Sequence, residues 1–210
     1  MKISHLKPLA LLLTLSATIA RADMIVSYDA ANSPDGSPAT SWMAGITPLQ
    51  LTRGEGLNFS SGGTYNASNW NEEPTDYLQW GWSGGPLVSL QSLDLRYDRS
   101  PSGPSMIEIL LSVNGGPFQN VFTDNDVLAA GEDALGIDLS AFTSVNSATF
   151  RLFGSGATSG SGTFDIESIT GLSPARGIVV NGAAAVPEPS SFALLGIAAT
   201  TAIGWRRLRR

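Results

Sequence analysis

From Asp23 to Val186 the periodicity of the chain is that of strands, and this constrains the fold more than any other feature. Leu93, Leu95 and Tyr97 alternate with Asp94, Arg96 and Asp98, which gives each residue set its own face, one buried and one wet. Ile107, Ile109, Leu111 and Val113 continue the pattern, and Asn114-Gly115-Gly116 predicts a turn before a run from Phe118 to Thr123. Further strands are expected over Met24 to Tyr28, Leu49 to Thr52, Asp76 to Trp82, Gly136 to Leu139, Ala148 to Phe153 and Thr163 to Ile169. Between them lie punctuating clusters such as Ser100-Pro101-Ser102-Gly103-Pro104 and Gly154-Ser155-Gly156. Eight or so short strands separated in this way predict an all-β, antiparallel β-sandwich of jelly-roll-like topology. The 23 Gly and 12 Pro exceed what long helices tolerate, and no repeat of fixed period points to a solenoid or propeller.

Composition then removes whole classes of function. There is no Cys, and the only His, His5, falls in a segment expected to be removed. Disulfide scaffolds, thiolate or imidazole metal sites, Cys nucleophiles and His-dependent triads therefore have no residues to be built from. Within 23–186 there is no Lys, and five basic residues, Arg53, Arg96, Arg99, Arg151 and Arg176, stand against 17 acidic ones, a net of −12. That charge repels phosphate backbones and anionic membrane surfaces, so no nucleic-acid partner is expected. Arg53-Gly54-Glu55-Gly56 lacks the Lys and spacing of a phosphate cradle and reads as a turn.

Both ends read as addresses. Lys2, His5 and Lys7 precede an apolar run from Leu9 to Ala20, and Ala20-Arg21-Ala22 places small residues at the two positions a signal peptidase reads, so residues 1–22 are expected to be a signal peptide. At the other end, Ala183-Ala184-Ala185 forms a spacer before Val186-Pro187-Glu188-Pro189, an apolar stretch from Phe192 to Trp205 follows, and Arg206, Arg207, Arg209 and Arg210 close the chain. The apolar stretch is short against the roughly 17 residues that span a bilayer. The Arg cluster would hold its end in the cytoplasm, which makes the tail a stop-transfer segment suited to removal. The expected organisation is a signal peptide over 1–22, a sandwich over 23–182 and a sorting signal over 183–210.

The sequence Pro187-Glu188-Pro189, the short hydrophobic segment after it and the terminal Arg cluster resemble the PEP-CTERM sorting signal of Gram-negative bacteria, a tail also known as an ice-binding protein C-terminal domain. The resemblance implies recognition by an exosortase at the inner membrane, removal of the tail, and delivery to the cell surface or an exopolysaccharide matrix such as a biofilm. More loosely, segments such as Ala148-Thr149-Phe150-Arg151-Leu152-Phe153-Gly154 and Gly162-Thr163-Phe164-Asp165-Ile166 look like the jelly-roll ectodomains that carry this tail. An ice-binding role would want a flat array of regularly spaced Thr, and the Thr residues here are scattered.

Within the domain, Trp80 and Trp82 share one strand face while Tyr77 points the other way. The paired rings either stack on sugars, with Trp70 as a third candidate, or fill the core, where aromatic side chains contribute most of the buried area. Glu72, Glu73, Asp76, Asp124, Asp126, Glu132 and Asp133 supply carboxylates, and a glycosidase needs two of them across a cleft. Asp124-Asn125-Asp126 with Glu132-Asp133 offers oxygen ligands for Ca²⁺ but lacks the spacing and central Gly of a helical calcium loop, so a solvated loop is expected there. No catalytic residue, metal or cofactor is expected. The leading reading is a non-catalytic, exported surface or matrix protein. A carbohydrate-binding module and a matrix glycoside hydrolase are its rivals. The signal-peptide reading predicts that exported material begins at Asp23; N-terminal sequencing checks it, and a terminus at Met1 would refute it.

Overall fold

The computed structural model describes residues 23–62 and 64–184. The expected signal peptide with its cleavage residues Ala20 and Ala22 lies outside them, as do Pro187, Glu188, Pro189, the hydrophobic segment and Arg206, Arg207, Arg209 and Arg210. The chain forms β1 (Asp23–Tyr28), β2 (Ser41–Trp42), β3 (Thr47–Pro48), β4 (Thr52–Arg53), β5 (Asn58–Phe59), β6 (Tyr65–Ser68) and β7 (Tyr77–Ser83). It continues through β8 (Val88–Arg99), β9 (Met106–Val113), β10 (Gln119–Asp124), β11 (Glu132–Asp138), β12 (Ala148–Ser155), β13 (Phe164–Glu167) and β14 (Ile178–Ala184).

Two antiparallel sheets face each other. The larger has the order β2-β1-β14-β8-β13-β6-β5, with β11 also on β8, and the smaller runs β10-β9-β12-β7-β3, with β4 also on β7. The long strand β8 organises the larger sheet. Leu95 pairs with both Ile178 and Ala134, and Tyr97 with both Ile166 and Glu132, so β14 and β13 follow one another along one edge while β11 takes the other. From β7 to β13 the chain crosses between sheets at every connection except the β9–β10 hairpin, as a jelly-roll-like sandwich requires.

Period-two alternation decides what lies between the sheets. On β7, Leu78, Trp80 and Trp82 turn inward, and on β12 Ala148, Phe150 and Leu152 do the same. Trp80 stacks on its cross-strand partner Phe150, with ring centroids 5.4 Å apart and planes 2° from parallel. In the other half of the core, Phe164 takes an edge contact from Trp70 at 5.7 Å and stacks with Tyr97 at 5.6 Å. Aromatic pairs of these geometries add to the area they bury.

Tyr28 connects the layers. From β1 in the larger sheet its hydroxyl reaches the backbone of the smaller one, lying 2.8 Å from the Leu49 carbonyl and 2.9 Å from that of Gly81, and it accepts the Gly81 N–H at 3.2 Å. Gly81 has φ +139°, and a Cβ there would collide with the Ala148 carbonyl of β12. Glycine meets both demands, a positive φ and close backbone approach.

Most expected strands form, but β2, β3, β5 and β6 were not expected, β11 starts at Glu132 ahead of the expected Gly136, and three further elements differ. The run at Leu49 to Thr52 contributes only β4 and an isolated bridge from Leu51 to Ser37. β8 extends well beyond the expected Leu93 to Tyr97 at both ends. β14 was not expected, and it takes Ala183 and Ala184, assigned above to a spacer, into the sheet opposite Ser89 and Val88. The folded domain therefore runs through Ala184 rather than stopping at 182.

Trp80→Ala should cost about 3 to 5 kcal/mol of stability, because it empties the center of the core. Trp80→Phe should cost markedly less, since the buried indole N–H has no acceptor to lose. Denaturant unfolding of the two variants measures the difference, and equal losses would contradict it.

Candidate functional site

The alternation that buries Trp80 and Trp82 sends the intervening side chains of the smaller sheet outward. Tyr77 and Gln79 of β7 then lie beside Arg151 and Phe153 of β12, in register as Phe153 opposite Tyr77 and Arg151 opposite Gln79. The next strand places Glu108 opposite Phe153 and Leu110 opposite Arg151. These residues form one continuous outer face.

Arg151 is its center. The guanidinium lies over the Tyr77 ring at 4.2 Å and the Phe118 ring at 4.6 Å, and Nε donates to Gln79 Oε1 at 2.9 Å. Tyr77 also contacts Phe153, with centroids 5.5 Å apart. Phe118 is 38% exposed. A cation held between two rings keeps donors available and leaves flat apolar surface in place beside them.

A cleft of about 310 Å³ opens where this face meets the segment before β7, lined by Glu72, Glu73, Glu108, Met106, Phe153 and Ser155 among others. Its carboxylates are engaged in different ways. Asp76, almost wholly buried, accepts the N–H groups of Asn71 at 2.7 Å and Glu73 at 3.1 Å through Oδ2, so it holds the loop. Glu72 adopts φ +63° and accepts the Gly156 N–H at 2.9 Å, tying the loop to the end of β12. Glu108 accepts from Asn120 at 3.2 Å. Glu72 and Asp76 thus bond to the backbone around the cleft, which Glu73 and Glu108 also line.

The remaining acidic candidates gather around the loop before β11. Asp124 accepts the Tyr97 hydroxyl at 2.9 Å and closes a turn by accepting the Asp126 N–H at 2.9 Å. Burial and the bond to Asp124 push the Tyr97 phenol far above its ordinary range. Glu132 accepts the Leu128 N–H at 2.8 Å, and burial with the carboxylates of Asp124 and Asp126 nearby raises its carboxyl above the usual value. Asp133 pairs with Arg96 at 3.4 Å and accepts the Thr170 N–H. Desolvation raises its carboxyl, but the bonds from Thr170 and Arg96 and the Arg96 charge together outweigh it and hold the group below the ordinary range.

Of the two alternatives for Trp80 and Trp82, the burial of both rings fits the core. They are 0% and 1% exposed, and Trp70 is 2% exposed, so none offers a ring face to a sugar. Trp42, on the edge strand β2, is 49% exposed and stands apart from that trio. Tyr77, Phe118, Arg151 and Phe153, none of them singled out by the tryptophan pattern, are the aromatic and basic residues of the outer face. The signal was present in Tyr77, whose strand parity is opposite to that of the tryptophans.

No curated protein matches the chain. Residues 185–210, which begin directly after β14, match the family model of the PEP-CTERM protein-sorting motif, and the chain accordingly carries that sorting motif at the end of a β-sandwich.

Proposed function

We propose that this is a cell-surface or extracellular-matrix protein whose β-sandwich is a non-catalytic module. The sorting motif implies export, passage through the membrane and processing by an exosortase, a membrane protease. The observation that carries the proposal is the direct succession of β14 and the motif, which gives the tail a complete folded domain as its cargo. The engagement of Glu72 and Asp76 with backbone N–H groups supports a module without hydrolytic machinery.

A second reading, that the module binds carbohydrate of the matrix, is favored by Arg151 between Tyr77 and Phe118. Ring faces stack on the apolar faces of sugars, while Arg151 and Gln79 supply hydrogen bonds to hydroxyls. This face replaces the buried tryptophans as the candidate contact.

Two outcomes are expected. In a host with an exosortase, mass spectrometry of the surface form should show that Trp205 and the Arg cluster are gone, and replacing Glu188 should block processing while export continues. Recovery of an intact Arg210 terminus would make the tail a lasting anchor. On a glycan array, Tyr77→Ala and Arg151→Ala should each weaken the strongest signal by about tenfold with little loss of melting temperature. Unchanged binding in both would remove this face from the reading.

A further inference from the structure

The larger sheet has its own concentration of charge, on the outer face where β8, β13 and β6 run side by side. Asp165 of β13 is paired in register with Asp98 on one side and Asn66 on the other. Tyr97, Phe164, Ile166, Tyr65 and Ala67 turn into the core, so these intervening residues turn out. Glu167, two positions after Asp165, joins them, and one carboxylate oxygen from each of Asp98, Asp165 and Glu167 lies within 4.8 Å of the others.

Like charges opposite one another across strands are destabilizing, so such a row calls for compensation. Arg53 and Arg96 lie near enough for their charges to act on Asp165 and Asp98, but the hydrogen bonds of both guanidinium groups go to other residues. Arg96 pairs with Asp133 at 3.4 Å and bonds to Thr170 at 3.2 Å. Arg53 spends its guanidinium on the Asn66 and Ser33 carbonyls and on Asn32 Oδ1.

Asn66 is a separate observation. It is 7% exposed, and its Oδ1 is enclosed without a hydrogen-bond partner among the described residues. A buried acceptor left in that state is costly unless something satisfies it. The outward side chains of this chain segment reach the cluster, since Thr64, two residues earlier, donates to Glu167 Oε1 at 2.6 Å. Asn66 follows on the same face, directly across from Asp165, and the register sets its side chain beside that carboxylate.

We propose that Asp98, Asp165 and Glu167, with the amide oxygen of Asn66, form a Ca²⁺ site on the outer face of the larger sheet. The donors are all hard oxygens, which select calcium or magnesium over softer metals. Two ligands on opposite sides of Ca²⁺, each about 2.4 Å from it, are about 4.8 Å apart, so all three carboxylates can reach one such ion, while Mg²⁺ demands a tighter octahedron. The ion neutralizes the row and cross-links β6, β13 and β8. This departs from the expectation of a domain without metal and from Asp124 and Asp126, where a calcium loop was considered and a turn closed by Asp124 is found.

The test uses the full chain in detergent micelles, titrated calorimetrically with CaCl2 and unfolded thermally in CaCl2 or in EGTA. The wild type should bind one Ca²⁺ with a midpoint of roughly 10⁻⁴ to 10⁻³ M, and its melting temperature should rise with calcium and fall back in EGTA. Asp165→Asn and Glu167→Gln should weaken binding by about tenfold or more and lose the thermal response. Both remove a negative charge without changing shape, so in EGTA they should melt no lower than the wild type. Asp124→Asn should keep the wild-type response. The proposal fails if the wild type neither binds nor responds to calcium, or if Asp165→Asn and Glu167→Gln respond as it does. It also fails if Asp124→Asn alone abolishes the response.

Discussion

The Tyr28 hydroxyl is where the register of one sheet is tied to that of the other. A phenol buried this deeply must satisfy its oxygen, and it does so on the backbone at Leu49 and Gly81. Burial pushes the group up to about 12, with the Gly81 bond opposing, so it remains a neutral donor. The bond locates β7 against β1, and a slip of one residue in β7 would exchange its two faces. Tyr77 and Gln79 would then turn inward while Trp80 and Trp82 met solvent. The exposed Arg151 face and the tryptophan core are thus two results of the same constraint, and Gly81 is the residue whose missing side chain permits it.

Strands with one wet face were legible because alternation writes that environment into the sequence. β9 and β12 are examples, with Ile107, Ile109 and Leu111, and Phe150 and Leu152, all at inward positions. β14 was not legible for the converse reason. It lies between β1 and β8, and Ile178, Val179, Val180, Gly182 and Ala183 are all buried, so no alternation marks it and its alanines look like a spacer. The two-residue strands β2 to β5 are too short to carry a period at all. At the sites, parity placed Trp80, Trp82 and Tyr77 correctly relative to one another, but parity alone does not say which face is the core. Asp98, Asp165 and Glu167 were beyond sequence reasoning because strand order, rather than spacing, brings them together.

The few cations show how a domain this acidic distributes its positive charge. Arg53 binds the Asn66 and Ser33 carbonyls, and Arg99 holds Val127, Ser100 and Pro101. Arg176 reaches Ser27 and Ser41 across β1 and β2, and Arg96 serves Asp133 and Thr170. These four act as multi-donor clamps on loops and strand edges, a use that the forked guanidinium suits better than an ammonium group, which is consistent with the lack of Lys in the domain. Arg151 differs in placement. It lies against two rings, as Arg53 also does, but on the open outer face of the smaller sheet with its Nε on Gln79, and that placement is what makes it the candidate contact proposed above.

The junction between domain and sorting motif has a mechanical consequence. β14 is antiparallel to both neighbors, with Gly182 opposite Asp23 and Ala184 opposite Val88, so the chain enters and leaves the sandwich at one end of the larger sheet. The strand that leads into the motif is a central one, hydrogen-bonded on both sides, rather than an edge that could peel away. Any tension applied to the tail would therefore load two backbone ladders along the strand, the arrangement in which many hydrogen bonds must break together. Since β14 is described through Ala184 and the matched motif begins at residue 185, removal of the tail beyond that point leaves every described strand in place. The same boundary lets the module keep its core, its Arg151 face and its acidic row after processing.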